Sequence, residues 1–97
     1  MKFEWDENKR RTNLRKHGFN FEDAGKIFSS PMLVILDDRE DYGEERWIGI
    51  GILEGRVVVV VFTERSKDTI RIISMMKAVN DERKRYEQLL RDELGYD

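Results

Sequence analysis

The pattern of apolar and polar residues near the start of the chain predicts a short strand and then a basic helix. Residues 3–5 alternate between apolar and acidic side chains, as they do in a strand with one buried face. Asp6 has the side chain of a helix N-cap, so we expect a helix from Glu7 to Lys16. Gly18 suits the left-handed conformation that commonly ends a helix, and it marks the end of this one.

A second helix is predicted after Asn20, whose side chain can cap it. Its apolar residues recur at helical spacing and form one stripe that faces a core: Phe21, Ala24, Ile27 and Phe28. Pro31 lacks a backbone N–H and disfavours helical backbone at the residue before it. The helix is therefore expected to end at residues 29–31.

The central part of the chain is predicted to form strands joined by tight turns. Residues 32–36 are a compact apolar run. Residues 46–53 alternate isoleucine with tryptophan and glycine, which predicts a strand with one apolar face and one thin face. A tight turn at residues 54–55 leads into residues 57–63, which are apolar on both faces and so belong in the middle of a sheet.

The last third of the chain completes a fold of the α+β class. A hairpin at residues 66–68 returns as a strand over residues 69–76. Asn80 is expected to cap a final helix, whose buried stripe is Val79, Tyr86, Leu89, Leu90 and Leu94. Consecutive hairpins predict a mostly antiparallel sheet of four to five strands. With two N-terminal helices and one C-terminal helix on one side of that sheet, residues 1–97 are expected to form a single domain.

The composition predicts a cytoplasmic protein without a cofactor or metal site. There is no cysteine and a single histidine, so neither a disulfide nor a Cys- or His-rich metal site is expected. No apolar run is long enough for a secretory signal or a membrane span. The net charge of −2 argues against a nucleic-acid partner, but residues 46–77 carry six Lys or Arg against three acids. Residues 37–45, in contrast, carry six acids against Arg39.

Several separated motifs resemble the BrnT family of toxins. The opening of the chain carries Phe-Glu-Trp-Asp-Glu-Asn-Lys at 3–9, Asn-Leu-Arg-Lys-His-Gly at 13–18 and Phe-Glu-Asp-Ala at 21–24. Further similar segments are Asp-Tyr-Gly-Glu-Glu-Arg at 41–46, Thr-Glu-Arg at 63–65, Ile-Arg-Ile-Ile-Ser at 70–74, and Glu82, Arg83, Tyr86 and Glu87 in the last helix. The motifs run through nearly the whole chain in the family's order, which makes the resemblance more specific than any single pattern.

This resemblance implies a RelE-like fold and a metal-independent endoribonuclease, the translation-inhibiting toxin of a type II toxin–antitoxin pair. It also implies a BrnA-like antitoxin, a ribbon-helix-helix protein that neutralises the toxin in a hetero-oligomer. Operator DNA is then bound only through the antitoxin, and the pair represses its own operon. The chain departs from the family at Met76, where the family carries arginine. A catalytically weakened toxin that acts with its antitoxin as a corepressor is therefore the alternative.

Residues near the second hairpin have the chemistry that RNA cleavage needs. RNA supplies its own 2′-hydroxyl nucleophile, so a ribonuclease has to align that hydroxyl, move protons and stabilise charge on phosphate. Arg65, Arg71 and Lys77 are candidates for charge stabilisation, and Glu64 for proton acceptor. Surface ion pairs are the alternative role, and the resemblance favours function for Arg71. If the strand alternates without a bulge, Arg71 and Lys77 share one face and Met76 lies on the other.

Further candidates lie outside that hairpin. His17 is a secondary candidate for proton transfer, although its place at a helix end equally suits a stabilising contact with the helix dipole. RNA-binding candidates are Arg11, Arg15 and Lys16 for the backbone and Trp47 for a base, with a solvated helix face and simple packing as the alternatives. Residues 37–45 are expected to be a solvated connector or a docking surface for a basic segment of the antitoxin. A domain with no nucleic-acid role is the third hypothesis, which the acidic net charge favours.

Overall fold

The computed structural model describes residues 1–95, apart from the side chain of Leu94. Within this range the backbone forms one five-stranded sheet and three α-helices. The strands are β1 (Lys2–Trp5), β2 (Leu33–Asp37), β3 (Arg46–Leu53), β4 (Arg56–Ser66) and β5 (Thr69–Lys77). The helices are α1 (Glu7–His17), α2 (Ala24–Phe28) and α3 (Asn80–Leu94), and a 3-10 turn (Phe21–Asp23) leads directly into α2.

The strands lie in the order β1-β5-β4-β3-β2. Strands β2 to β5 follow one another along the chain and pair antiparallel, whereas β1 joins the edge of β5 in parallel. The predicted α+β class and the mostly antiparallel sheet are therefore confirmed. The parallel pairing brings the start of the chain beside the strand that carries Arg71.

Each face of the sheet carries its own core, which corrects the expectation that all helices pack on one side. The first core lies on the face covered by α2, here called the α2 face, and includes Phe21, Ile27, Val58, Val60, Phe62, Ile72 and Met75. The second lies on the α3 face and includes Ile50, Val59, Ala78 and Tyr86. The physical reason is the run of valines in β4: successive side chains point to opposite faces, so an apolar strand of this kind requires cover on both sides.

The thin face predicted for β3 is where α2 approaches the sheet. Gly49 and Gly51 are buried on this face. A Cβ atom added at Gly51 would lie 2.9 Å from both Ile27 Cγ2 and Ser30 Oγ. Ser30 Oγ also accepts a hydrogen bond from the backbone N–H of Ile52 at 3.1 Å. The missing side chain at Gly51 therefore allows the end of α2 to contact the backbone of β3.

The predicted ends of the first two helices are confirmed. The Lys9 backbone N–H donates to Asp6 Oδ1 at 3.1 Å, and Gly18 ends α1 with a φ of 77°. Asn20 Oδ1 accepts the Glu22 backbone N–H at 3.0 Å, although the turn that it caps is 3-10 rather than α-helical.

The start of α3 differs from the prediction. Asn80 is the first helical residue and not the cap, because the extended residue before it is Val79. The Glu82 carboxylate accepts the Val79 backbone N–H at 2.8 Å. Val79 is 63% exposed, so it is not part of the buried stripe, whereas Tyr86 is fully buried and donates its hydroxyl to Pro31 O. The prediction for the Leu94 side chain lies outside the described part of the chain.

Candidate RNA-binding site at the β5 bulge

Strand β5 contains one more residue than β4 in the middle of their pairing. Phe62 of β4 pairs with Ile72, and the preceding residue Val61 pairs with Ser74. Ile73 is therefore left without a partner of its own, which is the arrangement of a β-bulge. The bulge shifts the alternation, so each residue after Ile73 points to the face opposite to the one that simple alternation assigns.

The bulge places Arg71 and Met76 on the same face of the sheet. They pair with Thr63 and Val59, two residues of β4 that both point to the α3 face. Lys77 points to the other face. The expected sharing of one face by Arg71 and Lys77 is therefore wrong, because it assumed a strand without a bulge. Met76, where the resemblance leads us to expect arginine, instead shares the face of Arg71.

Arg71 forms an ion pair with a residue that the sequence pattern did not single out. Its Nη1 donates to Glu4 Oε2 at 2.8 Å. Glu4 is the residue of β1 that pairs directly with Arg71. The side chains of Arg71 and Glu4 are 32% and 39% exposed, so solvent reaches both. A guanidinium has five N–H donors, so Arg71 keeps donors for a phosphate while Glu4 fixes its orientation. Glu4 could have been found by predicting the parallel pairing of β1 with β5, which puts it beside Arg71.

Helix α1 lies along the edge of β5 beyond the point where β1 ends. Asn13 is 6% exposed and lies against the backbone of β5. Its Nδ2 donates to Met75 O at 2.9 Å and to Phe19 O at 3.1 Å, and its Oδ1 accepts the Met75 backbone N–H at 3.1 Å. One amide side chain thus satisfies the backbone of β5 as a neighbouring strand would, and it fixes α1 next to the bulge.

A basic groove of about 320 Å³ lies between α1 and the bulge. Its lining residues are Asn8, Lys9, Thr12, Asn13, Lys16, His17, Ile73 and Ser74. Two lysines and the histidine line it, and none of these residues is an acid. Lys16 and His17 are candidates for RNA binding and proton transfer from the sequence, whereas Lys9 and Ser74 are not among the sequence candidates. Ser74 shares the face of Arg71, because its partner Val61 and the Arg71 partner Thr63 point the same way. The groove and Arg71 are therefore neighbouring parts of one surface.

Glu64, Arg65 and Trp47 lie together in a different cavity of about 420 Å³, at the start of β3 and the end of β4. Glu44 and Glu45 also line it, so three carboxylates face one guanidinium. Such a surface repels phosphate. Glu64 pairs with Ile70 of the first core, which places it on the α2 face, away from Arg71. Trp47 packs half-buried against that core.

The remaining candidates lie in two further places. Arg11 and Arg15 line an open surface depression of about 880 Å³ along α1, together with Asn8, Arg10, Thr12 and Leu14. Lys77 lies at the far end of β5, in a cavity that it shares with Arg56, Arg83 and Glu87. The structure therefore lines one groove with Lys16 and His17 and puts Arg71 on the sheet face of Ser74, which also lines that groove. The remaining candidates line other cavities.

The acidic loop between β2 and β3 is more ordered than a simple connector. The Asp37 side chain is 1% exposed and accepts two hydrogen bonds of 2.7 Å from Nε and Nη2 of Arg39. This guanidinium lowers the pKa of the Asp37 carboxyl from 3.8 to about 2. The guanidinium of Arg46 lies over the Tyr42 ring, 4.2 Å from its centroid.

Two further properties concern residues 1–95 as a whole. In this range no three acidic, histidine or cysteine side chains converge as a metal site would require. No helix of the described chain combines the length and the apolar character that crossing a membrane requires.

Comparisons with known proteins point to one family. The family model described as "Ribonuclease toxin, BrnT, of type II toxin-antitoxin system" matches residues 5–82. Among solved structures, the chain is similar to the 1.1 Å crystal structure of the Brucella abortus ribonuclease toxin BrnT, with 33% sequence identity and a TM-score of 0.68. That match covers 82% of this chain and 99% of the Brucella chain. No curated protein sequence matches the chain significantly.

Proposed function

Because this chain belongs to the BrnT family of ribonuclease toxins of type II toxin–antitoxin systems, we propose that it cleaves RNA at the surface formed by Arg71 and the α1 groove. The observation that carries this proposal is the bulge at Ile73. It places Ser74, which lines the basic groove, on the face of the Arg71–Glu4 pair. An extended RNA backbone can then bridge the groove and Arg71.

Arg71 and the two groove lysines have the role of binding phosphate. A guanidinium binds two phosphate oxygens in one plane, and its charge stabilises the extra negative charge of the transition state. Lys9 and Lys16 hold the backbone on the groove side. Glu4 acts as a positioning residue, because it accepts a hydrogen bond from Arg71 Nη1 and holds that side chain on the sheet surface.

His17 has the role of proton transfer. In cleavage, the 2′-hydroxyl loses its proton to the His17 imidazole and attacks the adjacent phosphorus. The bond from phosphorus to the 5′-oxygen breaks as that oxygen takes a proton from water. His17 is an imidazole in the groove that also contains Ser74. The products of this reaction are a 2′,3′-cyclic phosphate and a free 5′-hydroxyl, and no metal ion takes part. Glu64, Arg65 and Lys77 have no role in this scheme, because they lie in other cavities.

The type II class supports an antitoxin as the partner. We propose that the chain acts in the cytoplasm, inhibits translation by cleaving RNA, and is neutralised by a BrnA-like ribbon-helix-helix antitoxin. In this proposal the hetero-oligomer represses its own operon, and DNA is contacted through the antitoxin.

Met76 favours a second candidate function, a weakened toxin that acts mainly as a corepressor. Its side chain packs against the second core together with Leu89 and Leu90, on the face that carries Arg71. An apolar thioether there supplies neither charge nor a hydrogen-bond donor to RNA.

One experiment separates the two candidates. The purified chain is incubated with single-stranded RNA in EDTA, and the products are tested for 2′,3′-cyclic phosphate ends. The first candidate predicts cleavage that is lost in Arg71→Ala and His17→Gln and kept in Arg65→Ala. Intact RNA with the well-folded native chain supports the corepressor instead. In that case, operator binding by the antitoxin should become tighter when the chain is added.

A further inference from the structure

Strand β2 presents an exposed apolar edge. Its inner edge pairs with β3, and no strand of residues 1–95 pairs with its outer edge. Three consecutive side chains on it are exposed: Val34 by 45%, Ile35 by 37% and Leu36 by 49%. Sheet proteins commonly protect such an edge with lysine, proline or a bulge. Leu33 to Leu36 contains no lysine or proline, and its pairing with β3 has no register shift.

The shape of this surface specifies an extended partner segment. Ile35 pairs with Ile48 and points to the α3 face, whereas Val34 and Leu36 point to the α2 face. A partner helix would contact one of these faces and leave the edge unpaired. An added strand uses both, because its side chains alternate between the two faces while its backbone pairs with the free N–H and C=O groups of β2.

The negative charge beside β2 indicates that the partner residues next to the added strand are basic. The loop that follows β2 exposes five acids: Asp38, Glu40, Asp41, Glu44 and Glu45. Its two neighbouring arginines are already engaged, Arg39 by Asp37 and Arg46 by Glu44. The loop therefore offers net negative charge to whatever lies beyond the end of the strand.

This charge argues against a second copy of the chain as the occupant. Two copies that pair antiparallel through β2 would place the acidic loop of each beside the residues that precede β2 in the other. Residues 29–32 are Ser-Ser-Pro-Met and carry no charge. The carboxylates would then gain no cation, whereas a different protein can supply one.

We propose that β2 is the docking site of the antitoxin. An extended apolar segment of the antitoxin adds to the sheet as a strand along Leu33–Asp37, and basic residues next to that segment contact the acidic loop. This inference rests on the antitoxin partner in the proposed function, but not on RNA cleavage, because β2 contributes nothing to the groove at Ile73.

Hydrogen exchange tests the docking directly. The chain is purified alone and in complex with the full-length protein encoded by the adjacent reading frame, and amide exchange is compared. The proposal expects slower exchange of the amides of residues 33–37 in the complex. A stable complex in which these amides exchange as they do in the free chain overturns it.

Substitutions test which side chains carry the affinity. Ile35→Lys and Leu36→Lys should each weaken antitoxin binding by about tenfold or more, which corresponds to about 1.4 kcal/mol. Val79→Lys is the matched control, because it changes an even more exposed apolar residue, at the start of α3. Its affinity should equal that of the native chain. Binding unchanged by both β2 substitutions would exclude β2 as the site.

Two further measurements distinguish the alternatives. Sedimentation of the free chain over a range of concentrations should give a monomer, and a dimer abolished by Ile35→Lys would assign the edge to a second copy instead. RNA cleavage by free Leu36→Lys should equal the native rate. If the native chain does not cleave RNA, and Leu36→Lys abolishes antitoxin binding, the proposed catalysis fails while the docking site stands.

Discussion

Arg71 and Met76 lie on the same face of β5. Their partners on β4, Thr63 and Val59, are four residues apart, so the two positions are separated by roughly 13 Å along the strand. Simple alternation would place them on opposite faces. The extra residue at Ile73 reverses this, with Ser74 between them on the shared face. If RNA binds as proposed, side chains at 71 and 76 lie along one extended backbone. We therefore expect the residue type at 76 to affect phosphate binding.

Met76→Arg should increase RNA cleavage by about tenfold or more, because a second guanidinium on the face of Arg71 adds charge where phosphate binds. Initial rates on a single-stranded RNA measure this effect. Met76→Leu is the matched control, since it keeps an apolar side chain against Leu89 and Leu90, and it should cleave at the native rate. Equal rates for all three proteins, with native melting temperatures, would show that position 76 does not contact the substrate.

The Glu4–Arg71 pair should matter for cleavage much more than for stability. Arg71→Ala is expected to lower kcat/KM by about 100-fold, as loss of a phosphate-binding donor does. The same change should alter the free energy of unfolding by at most about 1 kcal/mol, since both side chains are about one third exposed.

Glu4→Gln distinguishes positioning from direct catalysis. Gln retains an acceptor oxygen for Arg71 Nη1, so it should keep most of the activity, while Glu4→Ala should lose part of it. The double variant with Arg71→Ala should be no slower than Arg71→Ala alone, because Glu4 acts through Arg71. Additive losses in the double variant would mean that Glu4 contacts the substrate independently.

The parts of this structure that the sequence predicts are those encoded by neighbouring residues. Helix α1 begins after Asp6 and ends at Gly18 as predicted, because a helix cap depends on hydrogen bonds within a few residues. The bulge at Ile73 depends instead on how β5 matches β4, and no residue in β5 marks it. Glu4 is similar, since its contact with Arg71 requires a parallel pairing between strands 67 residues apart. The sequence thus named Arg71, Lys16 and His17 as candidates, but it did not show that they lie on adjoining parts of one surface.

Asn13 should be important for stability although it is a polar residue. Asn13→Ala leaves the Met75 backbone N–H and C=O and the Phe19 C=O without their partner in a buried place. The expected loss is about 2–4 kcal/mol in the free energy of unfolding, since each unsatisfied buried group costs about 1–3 kcal/mol. Urea unfolding measures it.

Asn8→Ala is the control for Asn13. Asn8 is an exposed asparagine of the same helix, and its Oδ1 accepts a single bond from Arg11. It should change the free energy of unfolding by less than about 0.5 kcal/mol. A similar small effect for Asn13→Ala would show that water replaces the lost hydrogen bonds.

The Asp37–Arg39 pair should make stability depend on pH in the acid range. The folded chain holds the pKa of Asp37 at about 2, below its ordinary 3.8. As pH falls, the unfolded chain therefore takes up this proton before the folded chain does. The stabilisation from the pair is fully present above the unfolded pKa and is lost as pH falls through 3.8 toward about 2.

Urea unfolding of the native chain, Asp37→Asn and Arg39→Gln from about pH 6 to about pH 2 measures this contribution. The native chain should be more stable than both variants at the upper end, because the buried carboxylate then has its guanidinium partner. The difference from Asp37→Asn should narrow as pH falls, since protonation removes the charge that the substitution also removes. Curves that stay parallel over the whole range would show that Asp37 has the same pKa in the folded and unfolded chain.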